Sequence, residues 1–457
     1  MAMTPATALE LAKMRIPEWR KNREAVGRID RWWHDKLEDE DKPVVPRSKK
    51  TREYRELRDR SNTPWLQLII RAVAQSLSVE GYRRPQDPDD MAAWRVWQAN
   101  GLDRHQGAVH RDALAHGIAY VVELPGSDPL TGENVPFVEG VSSMDMVAWY
   151  AYPARDDWPL HALRGDVMWR GSDRIYRWRL YDDTEVHTLQ SDPTGDRLSW
   201  LDAEEHDAGV CPVVRFTNEL DLRGRVVGEI DTFIPIAGRI NQDTFDRLVV
   251  QRFGSWRVRY ATGMAEPETD AEKRAQEILV RQGDFLINES ADGRFGTLEP
   301  TQLDGYIKAK ESDIRELAAT SQTPPHYLLG EMINVSAEAL AAAEASLMRK
   351  VDDRRLEFGE SWEQVLRLGA HLSGDTAGAA TLDAQVRWKD TQSRSLAQAA
   401  DALGKLGEML HVPVEMLWEK IPGWTDQDVQ RAKRLFAESD SFAEMLREFA
   451  AGGAAAG

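Results

Sequence analysis

Apolar residues recur at helical spacing from Thr7 to about Glu40, where Leu11, Met14, Ile16, Trp19, Val26, Ile29, Trp33 and Leu37 form one stripe. The stripe predicts an amphipathic helix. Pro17 is expected to kink or restart it, because proline lacks an N–H and crowds the preceding turn. A basic, polar connection follows, "DKPVVPRSKKTREYRELRDRSNTP". Thr63 then stands where a helix is capped and Pro64 where one opens, and "WLQLIIRAVAQSLSV" continues it to a stop before Gly81. "DPDDMAAWRVWQANGLDRHQGAVHRDALAHG" predicts two helices broken near Asn100-Gly101. After it the period shortens. "IAYVVELPG" is a strand closed by a Pro-Gly turn. "FVEGVSS", "MVAWYAY", "LHALRGDVMW", "RIYRWRLYDD", "EVHTLQSD" and "VVRFTN" are short aromatic or β-branched runs between Gly, Asp and Pro. They predict a mostly antiparallel sheet.

Helical spacing returns at Gly228. Ile230, Phe233, Ile236 or Ala237, Ile240, Phe245, Leu248 and Phe253 mark one face of a long helix, with Pro235 a blemish in its first third. A strand ("WRVRYATG"), a short helix ("DAEKRAQEILVRQG") and a second strand ("DFLINES") make a small α/β insert. A second long helix carries Leu303, Ile307, Lys310, Ile314 and Leu317 at spacings of four and three, and the double proline Pro324-Pro325 is expected to end it. A soft loop, "GEMINV", follows. Ser336 is then placed as an N-cap, with Glu338 in the first turn where the helix dipole favours it. That helix is expected to reach about Ala370, with Leu340, Leu347, Val351, Phe358, Trp362, Val365 and Gly369 on one stripe and "RKVDDRRLE" on a solvated or paired opposite face. "AQVRWKD" reads as one more strand, the section after Ser393 as short helices, and "AAGGAAAG" as a frayed tail. No solenoid-type repeat is present. The order of elements predicts an α+β protein.

Composition narrows the function classes. The chain has 457 residues, long for one domain, and 42% are hydrophobic, enough for a sizeable core. Its net charge of -18 argues against electrostatic wrapping of nucleic acid, which favours clustered Lys and Arg. It leaves open a protein that DNA passes through without sticking. The single cysteine, Cys211, excludes a disulfide within the chain and suits assembly in a cytosol. No apolar run is long enough to span a membrane, and the first thirty residues lack the apolar core of a signal peptide. The 16 tryptophans are many for this length and fit core packing first. Trp256 and Trp388 are read as exposed contact residues.

Catalytic signatures are missing. There is no G-x-x-x-x-G-K-[ST], no G-x-G-x-x-G and no G-x-S-x-G. His105, His110 and His116 do not fall on one helix face and read as surface or capping residues rather than metal ligands. The pairs Asp89-Asp90, Asp182-Asp183 and Glu204-Glu205 read as solvated turns rather than a two-metal site. Cys211 has no neighbour that would activate it and reads as a buried thiol. No metal, no cofactor and no catalytic residue is expected.

Four segments, in this order and spacing, carry a resemblance: "LRDRSNTPWLQLIIRAVAQSLSVEGYR", "WQANGLDRHQGAVHRDALAHGIAYVVE", "GEIDTFIPIAGRINQDTFDRL" and "TPPHYLLGEMINVSAEALAAAEASLMRKV". With them the chain resembles the portal (head–tail connector) proteins of tailed double-stranded-DNA bacteriophages, in the branch common among phages of actinobacteria. The resemblance implies a portal fold assembled as a ring, usually of twelve copies, at one capsid vertex. It implies an α/β wing at residues 1–225, a first stem helix at 226–254 and a small α/β clip at 255–300. A second stem helix at 301–321, a tunnel loop at 322–336, a long helix and strand returning to the wing at 337–392, and a helical crown with the frayed tail at 393–457 complete it. Glu331, Met332, Ile333, Asn334 and Val335 would line the DNA channel, with Pro324, Pro325, Gly330 and Ser336 fixing the loop. Trp256, Arg257, Arg259, Arg281 and Asp284 would be clip contacts for the motor or the adaptor. The implied partners are double-stranded DNA, further copies of the chain, the terminase large subunit, a head–tail adaptor, and the major capsid protein with its scaffold, with no membrane. The implied place is the virion, after assembly in the host cytoplasm. Two rivals stand beside this reading. One is another capsid-associated structural protein, which would not predict the helix–insert–helix–Pro-Pro–loop–helix order. The other is a metal-dependent nuclease or hydrolase on the α/β half, for which no motif speaks.

Overall fold

Small residues at the start of the chain let a helix lie close on a sheet. The computed structural model describes residues 3–45, 51–84, 92–254, 259–262, 269–270, 294–297, 302–330, 337–389, 396–424 and 428–438. Helix α1 (Pro5–Trp33) buries Ala8, Ala12, Ile16 and Trp19 against Leu163, Tyr176, Trp178, Leu180 and Leu189. It runs unbroken through Pro17, against the expected kink. Proline there costs one backbone hydrogen bond, but the residues before and after it share one buried stripe, and that burial holds the helix together. It ends at Trp33, earlier than the apolar pattern suggested, and Asp35 turns the chain with a φ of 55°.

The chain divides into two units. The first comprises residues 1–33, 66–232 and 335–457. After α1 it contains α3 (Trp65–Ala74), β1 (Val79–Arg83), α4 (Ala92–Ala99) and α5 (Leu102–His116). The strands β2 (Ile118–Leu124), β3 (Phe137–Ser142), β4 (Met146–Trp149), β5 (His161–Arg170), β6 (Asp173–Tyr181), β7 (Glu185–Ser191), β8 (Ser199–Glu205) and β9 (Val213–Thr217) follow. They form two antiparallel sheets, β4-β5-β6-β7-β8 and β3-β2-β9, as the period-two pattern predicts. Gly165 on β5 is where the first sheet needs glycine, since a Cβ there would stand 2.5 Å from the Trp178 ring and 2.9 Å from Trp19.

The second unit comprises residues 34–65 and 233–334. It contains α2 (Arg52–Asp59), most of α6 (Glu229–Gly254), the antiparallel pair β10 (Arg259–Thr262) and β11 (Arg294–Thr297), α7 (Asp304–Thr320) and α8 (Pro325–Leu329). Helix α2 lies within the stretch read as a connection. It has no apolar stripe to betray it, and its sequence "REYRELRD" includes an Arg52–Glu56 pair one turn apart. Strand β11 was not foreseen, and the helix and strand expected between residues 271 and 293 lie outside the described residues.

Back in the first unit, α9 (Ala337–Leu372) is a 36-residue helix, followed by α10 (Thr376–Ala380), β12 (Gln385–Trp388), α11 (Leu396–Leu410) and α12 (Val414–Trp418). Its stripe is the expected one: Leu347, Val351, Phe358, Trp362 and Val365 are buried. Strand β1, which begins where the helix read from Trp65 was expected to end, pairs antiparallel with β12. Gly81 inside it breaks local propensity for either state, so the distant partner decides.

The histidines correct the surface reading. His110 and His116 are buried. The Trp362 indole N–H donates to His110 Nε2 at 2.8 Å, so Nδ1 carries the hydrogen and donates to the Leu77 carbonyl at 3.2 Å. Burial drives the His110 pKa down to about 3, and the neutral ring stacks on Phe358 at 5.2 Å. Trp388, expected to be exposed, is half-buried with its ring 5.8 Å from His110. His116 sits between Asp112 at 3.2 Å and Asp30 at 3.6 Å. Burial alone would favour its neutral ring, but the two carboxylates outweigh that and raise its pKa to about 9. Asp182 is also buried rather than solvated. Burial would raise it, yet His187 and the N–H groups of Glu185 and Thr184 hold it down to about 2. Glu204 and Glu205 are exposed as expected, and Asp89-Asp90 lies outside the described residues. Cys211 is buried, and burial pushes its thiol pKa up, as befits an inert group.

Candidate functional site

The segment with the most distinctive order is α6, the β10–β11 pair, α7, α8 and the start of α9. Helix α6 buries Phe233, Ile234, Ala237, Ile240 and Phe245, and continues through Pro235 as α1 does through Pro17. Helix α7 buries Ile314, Leu317 and Ala318. The two are joined at their surfaces by Arg239, whose Nε reaches Asp313 at 2.9 Å and whose Nη2 reaches Glu316 at 2.5 Å. Asp243 lies in the same acidic neighbourhood, and burial first, then Asp313 and Asp246, raise its pKa. The residues before α3 brace α6: the Val44 N–H donates to Gln242 at 2.8 Å, and Tyr54 stacks on Phe253 at 5.0 Å. Apolar surface remains open on the unit, with Phe253 40%, Ile307 43% and Tyr327 39% exposed.

The end of α7 corrects the double-proline reading. The helix stops at Thr320, before Pro324. Gln322 adopts a φ of 56°, the Thr323 N–H reaches back to the Ala318 carbonyl at 3.0 Å, and the Gln322 N–H reaches the Ala319 carbonyl at 3.4 Å. These bonds satisfy carbonyls that a helix end leaves bare, with a glutamine in the position usually taken by glycine. Pro324 is extended, and Pro325 opens the short α8 at its first position. Gly330 closes α8 with a φ of 69° and donates its N–H to the His326 carbonyl at 3.0 Å. So Pro325 starts an element rather than stopping one, while Gly330 caps that element with a left-handed residue.

Of the other anticipated site residues, Glu331, Met332, Ile333, Asn334, Val335 and Ser336 lie outside the described residues, as do Trp256, Arg257, Arg281 and Asp284. Arg259 opens β10, where it pairs with Thr297. Among the described residues no cluster of His, Cys, Asp or Glu could hold a metal ion, and no helix is long and apolar enough to cross a membrane.

A charged cluster stands on α9. Lys350 and Arg354, placed by the pattern on a solvated or paired face of α9, are paired, and they are buried as well. Lys350 Nζ meets Glu229 Oε2 at 2.6 Å, and Arg354 Nη2 meets Glu219 at 2.6 Å and Glu229 at 3.6 Å. Their spacing of four, in step with Leu347, Val351 and Phe358, was the available signal: cations within an apolar stripe call for buried anions.

Comparison with known proteins accounts for the order of these elements. The family described as "Phage portal protein, SPP1 Gp6-like" matches residues 16–444. The portal protein of Mycobacterium phage D29 is 28% identical over 357 residues, covering 74% of this chain and 71% of that protein. The portal protein of Mycobacterium phage L5 is 28% identical over 355 residues, with the same shares covered. The family match spans both units, so the chain belongs to the phage portal protein family, with a structural role in packaging phage DNA.

Proposed function

We propose that the chain is one subunit of a closed ring, usually of twelve copies, set at one vertex of a phage capsid and crossed by double-stranded DNA during packaging and ejection. The observation that supports this most is the order α6, β10–β11, α7, α8, α9, within a family match that covers all of it. In this reading α6 and α7 are the stem, and residues 255–300 are the clip that meets the terminase large subunit and later the head–tail adaptor. Residues 393–457 are the crown, and the two-sheet body is the wing, facing the major capsid protein and scaffold. Open apolar surface at Phe253, Ile307 and Tyr327 suits cover by neighbouring copies. The protein is a virion component assembled in the host cytoplasm.

The loop from Glu331 to Val335 would face the DNA. Its composition, one carboxylate and four uncharged residues, suits passage. Each phosphate neutralised by Lys or Arg releases counterions and adds affinity, so a basic lining would hold the duplex where a neutral one lets it slide. A ring with a central hole in negative-stain images, and a matching mass in solution, are the expected results for the purified chain. Persistent monomers in the presence of scaffold would overturn the ring. Replacing Met332–Val335 by lysines should slow packaging and make its rate salt-dependent. An unchanged rate and salt dependence would remove the loop from the DNA path.

A further inference from the structure

The two-stranded sheet β1–β12 has two faces of different chemistry. Its register pairs Gly81 with Arg387, Tyr82 with Val386 and Arg83 with Gln385. Side chains of paired residues project from the same face and alternate along each strand, so Val386 and Trp388 point one way and Arg83 and Arg387 the other. The first face lies on α9. A Cβ on Gly359 would stand 3.6 Å from the Val386 and Trp388 side chains, and the Val386 N–H donates to Glu363 at 3.1 Å. On the second face the Arg387 guanidinium crosses β1 at Gly81, 3.4 Å from where a Cβ would stand.

The arginine face meets one carboxylate. Glu419, the residue that follows α12, accepts from Arg83 Nη2 at 2.7 Å and stands 3.8 Å from Arg387 Nη1. Its other oxygen lies 3.6 Å from Lys433 Nζ, in the helical residues 428–438. Glu80 holds Arg387 from the side at 3.4 Å. The Glu419 side chain is 17% exposed. Burial would raise its pKa, yet Arg83, then Arg387 and Lys433, hold it below the ordinary value. A half-buried carboxylate among three cations is screened less than an exposed pair.

The helices that carry Glu419 bury little else. Among the described residues of 396–438, the buried apolar side chains are Ala399, Leu417 and Val429. A Cβ on Gly407 of α11 would stand 3.3 Å from Leu417, and Trp418 meets Phe436 edge-on at 5.5 Å. Met409, Leu410, Val414 and Met416 are exposed. These contacts pack the section on itself, and Glu419 reaches out of it to the sheet.

We propose that Glu419 is a latch: its carboxylate docks the C-terminal helices, residues 396–424 and 428–438, on the Arg83–Arg387 face of the β1–β12 sheet, and without that charge they leave the sheet while both parts stay folded. The sheet keeps its α9 face in either state, and the surfaces that part are charged, so release exposes little apolar area. All the residues involved belong to one unit, and the latch does not depend on the ring.

Paired spin labels on Asp383→Cys, before β12, and Glu415→Cys, on α12, read docking as a distance in the full chain. Both sites are exposed, and the native Cys211 is buried. With Glu419 intact, one narrow distance is expected. Glu419→Gln should lower the docked-to-released ratio roughly tenfold or more, the size of a lost hydrogen bond between charged groups, with the unfolding of the sheet-bearing core unchanged. Arg83→Met should act in the same direction, and R83M/E419Q should add little to E419Q, because both remove one contact. A narrow distance retained in E419Q, or additive effects in the double variant, would overturn the latch. So would Leu417→Ala releasing the helices as fully as E419Q, since packing would then be what holds them. If E419Q does not fold, salt decides on the labelled chain with Glu419 intact. Between ~0.1 and ~1 M the screening length falls from about 10 Å to about 3 Å, and the docked-to-released ratio should drop about fivefold or more. An unchanged ratio would overturn the proposal.

Discussion

The sheet-bearing unit and the α6–α7 pair are built on different principles. In the first, large aromatic rings are fully buried. Trp19, Trp97, Trp178 and Trp362 are each essentially inaccessible, and the indole N–H groups of Trp178 and Trp362 bond to Ser191 and His110. In the second, α6 and α7 meet through exposed charges around Arg239 and leave Phe253, Ile307 and Tyr327 open to solvent. The difference lies in how the elements are joined and not in open apolar surface, since Trp169, Tyr152 and Leu356 of the first unit are exposed as well.

The contrast can be broken by substitution. Trp362→Ala removes a ring packed on Trp97, Phe216 and His110, and it should destabilise the chain by about 3–5 kcal/mol, read from denaturant midpoints. An effect near zero would mean that the aromatic core is not what holds the first unit. His116 sharpens the same point through pH. Its folded pKa of about 9 lies above the ordinary value of 6.5, so its contribution is complete below about pH 6.5 and lost as pH rises through 9. That loss is on the order of 3 kcal/mol, and His116→Asn should flatten the stability–pH curve across this window. Next comes Gly228→Ala, which forces a methyl against the Ala115 carbonyl and should cost about 1–3 kcal/mol, measured by thermal unfolding. The smallest effect is expected in the second unit. Arg239→Ala removes exposed ion pairs and should leave the melting temperature of the isolated chain within scatter at physiological salt. A large drop there would erase the distinction between the two units.

Hydrophobic period alone located most long elements. The stripe on α9 was legible because a 36-residue helix repeats its signal many times, and the alternating runs between Ile118 and Thr217 announced an antiparallel sheet. Of the candidate site, the order of the described helices and a break at Gly330 were legible, since glycine is the residue that reaches a left-handed cap without strain. The end of α7 was not, because Gln322 takes that conformation without any glycine to announce it.

Local period and spacing along the chain carry the α+β class and the helix–insert–helix–loop–helix order, and four segments carry the family resemblance. The folded chain adds that "VEGYR" is a strand, that His110 is neutral while His116 is charged, and that Lys350 and Arg354 turn inward. Each of those outcomes is set by a partner remote in sequence: β12 for β1, Trp362 for His110, Asp30 for His116 and Glu229 for the two cations. A titratable group takes its state from the charges and the solvent around it, and a short strand takes its identity from the edge it pairs with. Neither is written in the residues next to it.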